Sequence, residues 1–374
     1  MRTHSELSLI IHFQALPDPR VARTPEHKLI DILVIAIGTL LCGGEGFNDM
    51  EDFGKAKHDW LKTFLELPHG IPSHDTFNRV FQALDPASFL ECFVRWTQSL
   101  RAAVSEEIVA LDGKALRRAL ATGQSAPVLV SAWARENGLV LGQLQVSAKS
   151  NEITAVPELL RALELAGCIV TLDAMGCQKN LAKEIKEADA EYVLALKGNQ
   201  GTVHAEVRSY LDHAITGGAK ELVRHETVEK DHGRLETRCY YQSAALDWFE
   251  DRAQWEGLQS VGLVEARRQV GDGPGTVERR HYLSSLGPDA ARFARAVRGH
   301  WSVENQCHWL LDVQMGEDQS RVRAGHAAQN LGTLRRLALN LLKREKTKKR
   351  GIKGKQKNAG WDHSYLLKLL GVPI

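Results

Sequence analysis

Apolar residues in the first hundred positions recur at helical spacing. Leu29–Leu41 is almost wholly apolar, and Trp60–Leu67 is a second apolar stretch. A third segment opens with the helix-capping types Ser73 and Asp75 and carries an apolar stripe. That stripe consists of Phe77, Val80, Phe81 and Leu84. Residues 1–100 are therefore predicted to form an N-terminal all-helical unit.

The polar side of the third helix allows two interpretations. It carries residue types that contact phosphates and base edges, namely His74, Asn78, Arg79 and Gln82. One interpretation is a DNA reader of the helix-turn-helix kind, so that residues 1–100 would bind DNA. The other is a structural helix with ordinary surface residues.

Residues 106–216 change to short apolar runs that alternate with amphipathic segments. The predicted order is three strands and then three helices alternating with two more strands, β-β-β-α-β-α-β-α. Right-handed crossovers in this order give one mixed sheet flanked by helices, which is an α/β fold. The strands are predicted at 108–113, 126–135, 139–146, 168–174 and 191–197, and the helices at 153–167, 178–190 and 201–215.

Residues 217–287 return to strand character and are predicted to form a β-rich insertion. One hairpin turns at 231–233, and a second strand pair surrounds the glycine-rich residues 271–275. The α/β core resumes over 288–345, where one helix begins near Pro288 and a second runs into a basic tail at 346–374.

Charge changes this picture only at the C-terminal end. The chain carries a formal net charge of +2, yet Lys343–Lys357 holds nine basic residues and one acidic residue. Such an asymmetry is typical of an arm that binds a polyanion. A solvated, frayed chain end is the alternative.

The six cysteines are scattered without a CxxC pair, which argues against a zinc ribbon or a disulfide framework. The most apolar segment, 32–42, is about half the length of a membrane span. No signal-peptide pattern opens the chain. We therefore expect a cytoplasmic protein.

Three carboxylates lie at or just beyond the ends of apolar segments, where a folded core rarely places a charge. Asp112 and Asp173 each end an apolar strand, and ligands gather at the carboxyl ends of parallel strands. Glu304 lies on the helix that begins near Pro288. Three convergent carboxylates suit Mg²⁺, because hard oxygen ligands suit a hard ion. The alternatives are a turn at Asp112 and a helix cap at Asp173.

The helix around Glu304 places a polar stripe beside two tryptophans. His300, Glu304 and His308 are four residues apart, so an α-helix would stack them on one face. A zinc site is one interpretation, although the spacing is not that of a zincin. A buried histidine pair is another. The third makes Glu304 a metal ligand, with both histidines contacting phosphate.

Further polar residues follow these positions and are candidates for DNA contacts. Lys114 and Lys197 would place cations near the site, and Gln178 would hydrogen-bond a phosphate or base. In the segment 316–325, Glu317 and Asp318 are either extra ligands or solvated ion pairs. The DNA-binding candidates are Lys114, Gln178, Lys197, His300, His308, Arg321 and Arg323.

These segments resemble the signatures of DDE transposases of bacterial insertion sequences. The matching runs are LDGKALRRA, TLDAMGCQ, LALKGNQ and RGHWSVENQCHWLLDVQMGED, in that order. The branch that includes H-repeat-associated proteins is the most similar, and its associated N-terminal region resembles residues 18–81. The resemblance implies an RNase H-like core with Asp112, Asp173 and Glu304 as the catalytic triad, and with a β-strand insertion before Glu304.

The resemblance also implies a reaction and its partners. Asp112 would bridge two Mg²⁺ ions, which Mn²⁺ could replace, while Asp173 and Glu304 would each hold one. The substrates would be double-stranded DNA, both the terminal inverted repeats of the element and the target, bound by a homodimer. Related enzymes have an Arg and a Lys at the positions of His300 and Leu311, so His300 is a candidate substitute for that Arg.

Two other functions stay open. One is a metal nuclease of the RNase H-like fold that performs no strand transfer. The other is a catalytically silent DNA-binding remnant of an element.

Overall fold

The computed structural model describes residues 9–20, 25–119, 126–146, 152–231, 233–271 and 273–372. They fall into two compact units. The first takes the described residues within Met1–Ala103, Gly113–Asn151 and Glu304–Ile374, and the second those within Val104–Asp112 and Glu152–Val303.

Helices precede the first strand, as the apolar spacing predicted. They are α1 (Leu9–Phe13), α2 (Leu29–Leu41), α3 (Phe47–Ala56), α4 (His58–Leu61), α5 (His74–Ala83) and α6 (Pro86–Leu100). Helix α2 is buried from Asp31 to Leu41, because its residues are apolar on every side. Helix α5 begins after Ser73, whose hydroxyl accepts a hydrogen bond from the Thr76 amide.

The remaining elements follow the predicted order. The strands are β1 (Ile108–Ala115), β2 (Val128–Ala134), β3 (Leu139–Gln145), β4 (Ile169–Leu172), β5 (Glu191–Leu196), β6 (Val223–Asp231), β7 (Arg234–Ser243), β8 (Ser260–Val270) and β9 (Thr276–Ser284). The helices are α7 (Glu152–Ala162), α8 (Lys179–Glu187), α9 (Gly201–Gly217), α10 (Ala290–His300), α11 (Trp309–Val313), α12 (Ala327–Arg344), α13 (Ile352–Trp361) and α14 (His363–Leu370).

The second unit is built on a mixed sheet in the order β1-β4-β5-β9-β8-β7-β6. Strands β1, β4 and β5 are parallel, and the others join antiparallel. The predicted β-rich insertion therefore extends the central sheet, because β9 pairs directly with β5. Both predicted hairpins are present, although His232 and Asp272 in their turns lie outside the described residues.

Helix α10 covers one face of this sheet. Its Phe293 and Val297 pack in one apolar cluster with Ile108, Ile169 and Val193 from the parallel strands. Helix α9 contacts the opposite face, where its His204 and Asp212 meet His281 and Arg279 of β9. A mixed sheet with helices on both faces confirms the predicted α/β fold class.

The first unit packs α12 against α2, α5 and the β2–β3 hairpin. Asn340 of α12 pairs with the backbone of Val140, donating to its carbonyl and accepting from its amide, each at 2.8 Å. These bonds give partners to the buried amide and carbonyl of Val140, which lies on an outer strand.

The C-terminal residues are folded into the first unit, which corrects the expectation of a free basic tail. Lys355 is buried, and its ammonium donates to the carbonyls of Leu342, at 2.8 Å, and Glu345. Gln356 donates to the Leu40 carbonyl at 3.1 Å. The alternative of a frayed end is also wrong, because α13 packs on α2 and α12.

Within the described ranges, none of the helices has both the length and the apolar character required to cross a bilayer.

Candidate active site

The two aspartates occupy matching levels on neighbouring parallel strands. Leu111 of β1 is the register partner of Leu172 of β4, so Asp112 and Asp173 follow at the same level. Both are partly buried. Register partners in a parallel pair point to the same face, so the two carboxylates share one face near the carboxyl edge of the sheet.

The carboxylate of Asp173 is held in place by backbone. Its Oδ1 accepts hydrogen bonds from the amides of Met175, at 3.0 Å, and Gly176, at 3.3 Å. The cap at Asp173, considered from the sequence as an alternative to a catalytic role, is therefore present. The two roles are compatible, because a cap fixes the orientation of the carboxylate and a carboxylate has further acceptor positions.

His300 lies on the same face, at the end of α10. Its Nδ1 is 3.0 Å from the hydroxyl of Thr171, two residues before Asp173. Burial lowers the pKa of His300 to about 4, although the negative charge of Asp173 acts in the opposite direction. The imidazole is therefore neutral at neutral pH and does not supply the positive charge expected of a substitute for arginine.

Glu304 is exposed and opens a π-helix, Glu304–His308, that leads into α11. The prediction of one continuous α-helix is wrong here, because α10 ends at His300. A π-helix pairs residues five apart, so the α-helical spacing that stacked Glu304 above His308 does not hold. His308 is partly buried, whereas Glu304 faces solvent. Single-turn π segments occur frequently at functional sites.

Lys114 is buried, which corrects the expectation of a phosphate contact. Its side chain is 8% exposed, and Nζ lies 2.6 Å from Asp312, 3.2 Å from Glu317 and 2.9 Å from Asp318. A lysine surrounded by three carboxylates has no free charge to offer a DNA phosphate.

Glu317 is a core residue rather than a solvated one or an extra ligand. It forms an ion pair with Arg336 at 2.6 Å, and both side chains are fully buried. Arg321 and Arg323, in the same sequence segment, are exposed and remain candidates for DNA contacts.

Lys197 and Gln178 occupy different environments near the carboxyl edge. Lys197 follows β5 directly and is exposed. Gln178 precedes α8, and its Oε1 accepts a hydrogen bond from Gln200 at 3.3 Å. Lys197 is therefore the better placed of the two for a phosphate contact.

One residue of this edge was missed from the sequence. The guanidinium carbon of Arg280, on β9, lies 4.3 Å from the ring centre of Trp301, directly after α10. Strand alternation could have shown that Arg280 shares a face with Tyr282. The pairing with Trp301 depends on contacts between residues far apart in sequence.

The donor chemistry of the aspartate pair fits a hard divalent cation. Asp112 and Asp173 provide carboxylate oxygens, the ligands that Mg²⁺ prefers. Across the ranges that the structure describes, no three His, Cys, Asp or Glu side chains form a group that could hold a metal ion. The zinc interpretation thus has no support, and Glu304 as a third ligand stays a proposal.

The sheet, its two neighbouring aspartates and the sequence together define the protein class. A family model described as "Transposase DDE domain" matches residues 105–341, and one described as "DDE_Tnp_1-associated" matches residues 10–97. The chain belongs to the DDE transposase family.

Relatives span nearly the whole chain. A "Putative transposase YncI" from Escherichia coli O157:H7 is 39% identical over 368 residues, covering 97% of this chain and 94% of the relative. An "H repeat-associated putative transposase YhhI" from Escherichia coli K12 is 38% identical, covering 97% of each chain. These matches confirm the resemblance to the H-repeat-associated branch.

A solved piggyBac transposase synaptic complex with hairpin DNA shows a weaker similarity. Its TM-score is 0.41 at 11% identity, covering 98% of this chain and 78% of that chain. A similarity at this level supports no inference about this chain.

Proposed function

We propose that this chain is the transposase of an insertion sequence, which cuts DNA at the element ends and joins the freed 3′-hydroxyls to target DNA. The observation that carries the proposal is the pair Asp112 and Asp173, side by side near the carboxyl edge of a sheet in a DDE transposase chain. We place Glu304 as the third carboxylate of the same site.

Asp112, Asp173 and Glu304 would hold the Mg²⁺ ions. When bound, two such ions activate the attacking oxygen and stabilise the leaving oxygen of a phosphodiester. The fixed Asp173 carboxylate enters this site with its orientation already set by the Met175 and Gly176 amides. Preset ligands lose less entropy on binding than ligands that must be ordered.

His300 would position Asp173 without carrying charge. Its ring is partly buried and lies 3.0 Å from the hydroxyl of Thr171, two residues before Asp173. A neutral ring there leaves the negative charge of Asp173 available to a cation. The protein supplies no Ser or Tyr nucleophile in this scheme, because water attacks the phosphorus first and the DNA 3′-hydroxyl attacks in the second step.

DNA binding would draw on exposed basic residues of the first unit. Folding of the C-terminal segment separates buried Lys355 from its exposed neighbours, so only part of the basic run can meet phosphates. The exposed members are Arg344, Lys346, Lys348, Lys349, Arg350, Lys353 and Lys357, and Arg321 and Arg323 are exposed elsewhere in the unit. We assign recognition of the element ends to the N-terminal helices and expect a homodimer to hold the two ends.

The test is cleavage of a supercoiled plasmid that carries the flanking element ends, with Mg²⁺ present, by wild type and by Asp173→Asn. We expect nicks at the element boundary only with wild type. The amide oxygen of Asn can keep the two cap hydrogen bonds, so loss of cleavage reports on the lost charge. Asp289→Asn is the matched control, because Asp289 caps the start of α10, at the end opposite His300.

Three other outcomes would redirect the assignment. Cleavage that ignores the element ends would indicate a nuclease without strand transfer. End binding by wild type without cleavage would indicate a silent remnant. Retained Mg²⁺-dependent cleavage in Asp173→Asn would remove Asp173 from the site.

A further inference from the structure

Arg280 and Trp301 form a cation–aromatic pair within the second unit. The Arg280 guanidinium carbon lies 4.3 Å from the Trp301 ring centre, and the Arg280 side chain keeps 32% of its surface exposed. Its Nε donates to Glu278 at 2.7 Å. The aromatic face orders the planar guanidinium, and because Nε is in an ion pair with Glu278, a further acceptor would meet the two Nη groups.

Sheet register places Arg280 on the face and at the edge that carry Asp173. Tyr282 pairs with Ala195 of β5, and both belong to or border the apolar cluster under α10. Arg280 comes two residues before Tyr282, so it points to the same face. The final β5–β9 pair is Leu196 with His281, so Arg280 stands beside the level of Lys197, beyond the end of β5.

Trp301 lies close to both Arg280 and His300. The rings of His300 and Trp301 are 6.1 Å apart, and His300 contacts Thr171. The cation and the aspartate thus border the same end of α10. Arg280 and Lys197 are therefore two cations at this end of the second unit.

We propose that Arg280, held over Trp301, binds a phosphate of the DNA strand that lies along the Asp173 edge of the sheet. This inference rests on the proposed function, since it takes the ligand to be DNA. The guanidinium edge matches the geometry of phosphate oxygens and can donate two parallel hydrogen bonds. Trp301 contributes by ordering the arginine before DNA arrives.

A purely structural role is the competing explanation, in which Arg280 clamps β9 to the end of α10. The two roles differ in salt dependence. A lost phosphate contact lowers the slope of log K against log salt by about 0.9 per phosphate, whereas a lost clamp leaves the slope of the folded protein unchanged.

The experiment measures binding of a fluorescent duplex carrying an element end over a range of NaCl concentrations, in the Asp173→Asn background. We expect Arg280→Gln to weaken binding and to lower the slope by about 0.9. Arg280→Lys should restore the slope, because lysine still binds phosphate as a point charge. Arg280→Met repeats the charge loss with an apolar stem over Trp301, should Arg280→Gln fail to fold.

Arg279→Gln is the matched control. Arg279 is the preceding residue of β9, points to the opposite face, and pairs with Glu265 and with Asp212 of α9. The salt slope of DNA binding by Arg279→Gln should equal that of the Asp173→Asn parent. An unchanged slope in folded Arg280→Gln and Arg280→Met, or an equal loss in Arg279→Gln, overturns the assignment.

Binding and cleavage fail independently in this design. If the plasmid assay shows no cleavage but the slope falls with Arg280→Gln, the DNA contact stands and the catalytic proposal fails. If cleavage is present and the slope does not change, the catalytic proposal stands and the Arg280 contact with DNA fails.

Discussion

Glu317 and Arg336 form an ion pair in which neither side chain reaches solvent, with Oε1 and Nη1 2.6 Å apart. Arg336 also donates to the Ser131 hydroxyl at 2.9 Å, and Lys114 lies 3.2 Å from the other carboxylate oxygen. Burial raises the pKa of Glu317, but the charges of Arg336 and Lys114 outweigh it and bring the pKa to about 2. The carboxylate is therefore ionised inside the core.

Glu317→Gln should lower the free energy of unfolding by about 3–5 kcal/mol, because it leaves Arg336 and Lys114 with less negative charge in a buried site. Urea unfolding at neutral pH measures this. Glu91→Gln is the control, since Glu91 faces Arg95 at 3.9 Å on the surface. Its effect should stay within about 0.5 kcal/mol. Equal effects at the two positions would contradict a buried network.

The same carboxylate should make the protein sensitive to acid. The folded pKa of Glu317 lies below its ordinary value of 4.5, so its contribution is complete above that value and is lost as pH falls towards 2. Urea midpoints between pH 5 and pH 3 should fall more steeply for wild type than for Glu317→Gln. Parallel pH profiles would show that Glu317 does not hold the depressed pKa.

Substitution of Lys114 should lower stability, whereas substitution of Lys197 should weaken DNA binding. Lys114→Met removes the cation from three neighbouring carboxylates and should destabilise the fold by about 3–5 kcal/mol. Lys197→Met, at an exposed position, should leave stability unchanged and lower the salt slope of DNA binding by about 0.9. Thermal melts and the duplex assay measure the two effects. A lowered slope in folded Lys114→Met would restore the phosphate contact expected from the sequence.

The basic C-terminal segment offers a second matched pair. Lys355→Gln should cost about 1–3 kcal/mol, because the carbonyls of Leu342 and Glu345 lose a buried donor. Lys353→Gln, two residues earlier and exposed, should spare stability and weaken DNA binding in a salt-dependent manner. If both variants only weakened DNA binding, the segment would behave as the free tail that composition suggested.

Asp173 could be placed from the sequence because the information is local: a carboxylate after an apolar run marks the end of β4. The strand end or turn expected at Asp112 is wrong, because β1 continues to Ala115, but the two aspartates do lie on neighbouring strands. The order of strands and helices was predictable for the same reason, since alternation and helical spacing are read within a few residues.

The contacts that the sequence did not reveal join distant positions. Lys114 meets Asp318 about two hundred residues later in the chain, so the sequence indicated only a cation near the site and a candidate DNA contact. The buried Lys355 donates to backbone carbonyl groups, and a pattern of side chains cannot indicate such partners. The π-helix at Glu304 is a shift in backbone hydrogen bonding, and the spacing of residue types does not encode it.

Glu304→Gln should abolish cleavage at the element ends while leaving the fold intact. The side chain is exposed in the π-helix, so its replacement should change the free energy of unfolding by at most about 0.5 kcal/mol. The lost charge would remove the third carboxylate of the proposed site. Thermal melting, duplex binding and plasmid nicking measure the three properties in parallel.

Asn305→Gln is the control for Glu304→Gln, because Asn305 is the next residue of the π-helix and is also exposed. It should cleave like wild type and melt at the same temperature. Full cleavage by Glu304→Gln would leave Asp112 and Asp173 as a two-carboxylate site. Loss of cleavage in both variants would instead indicate that the π-helix acts through its shape, independently of the Glu304 charge.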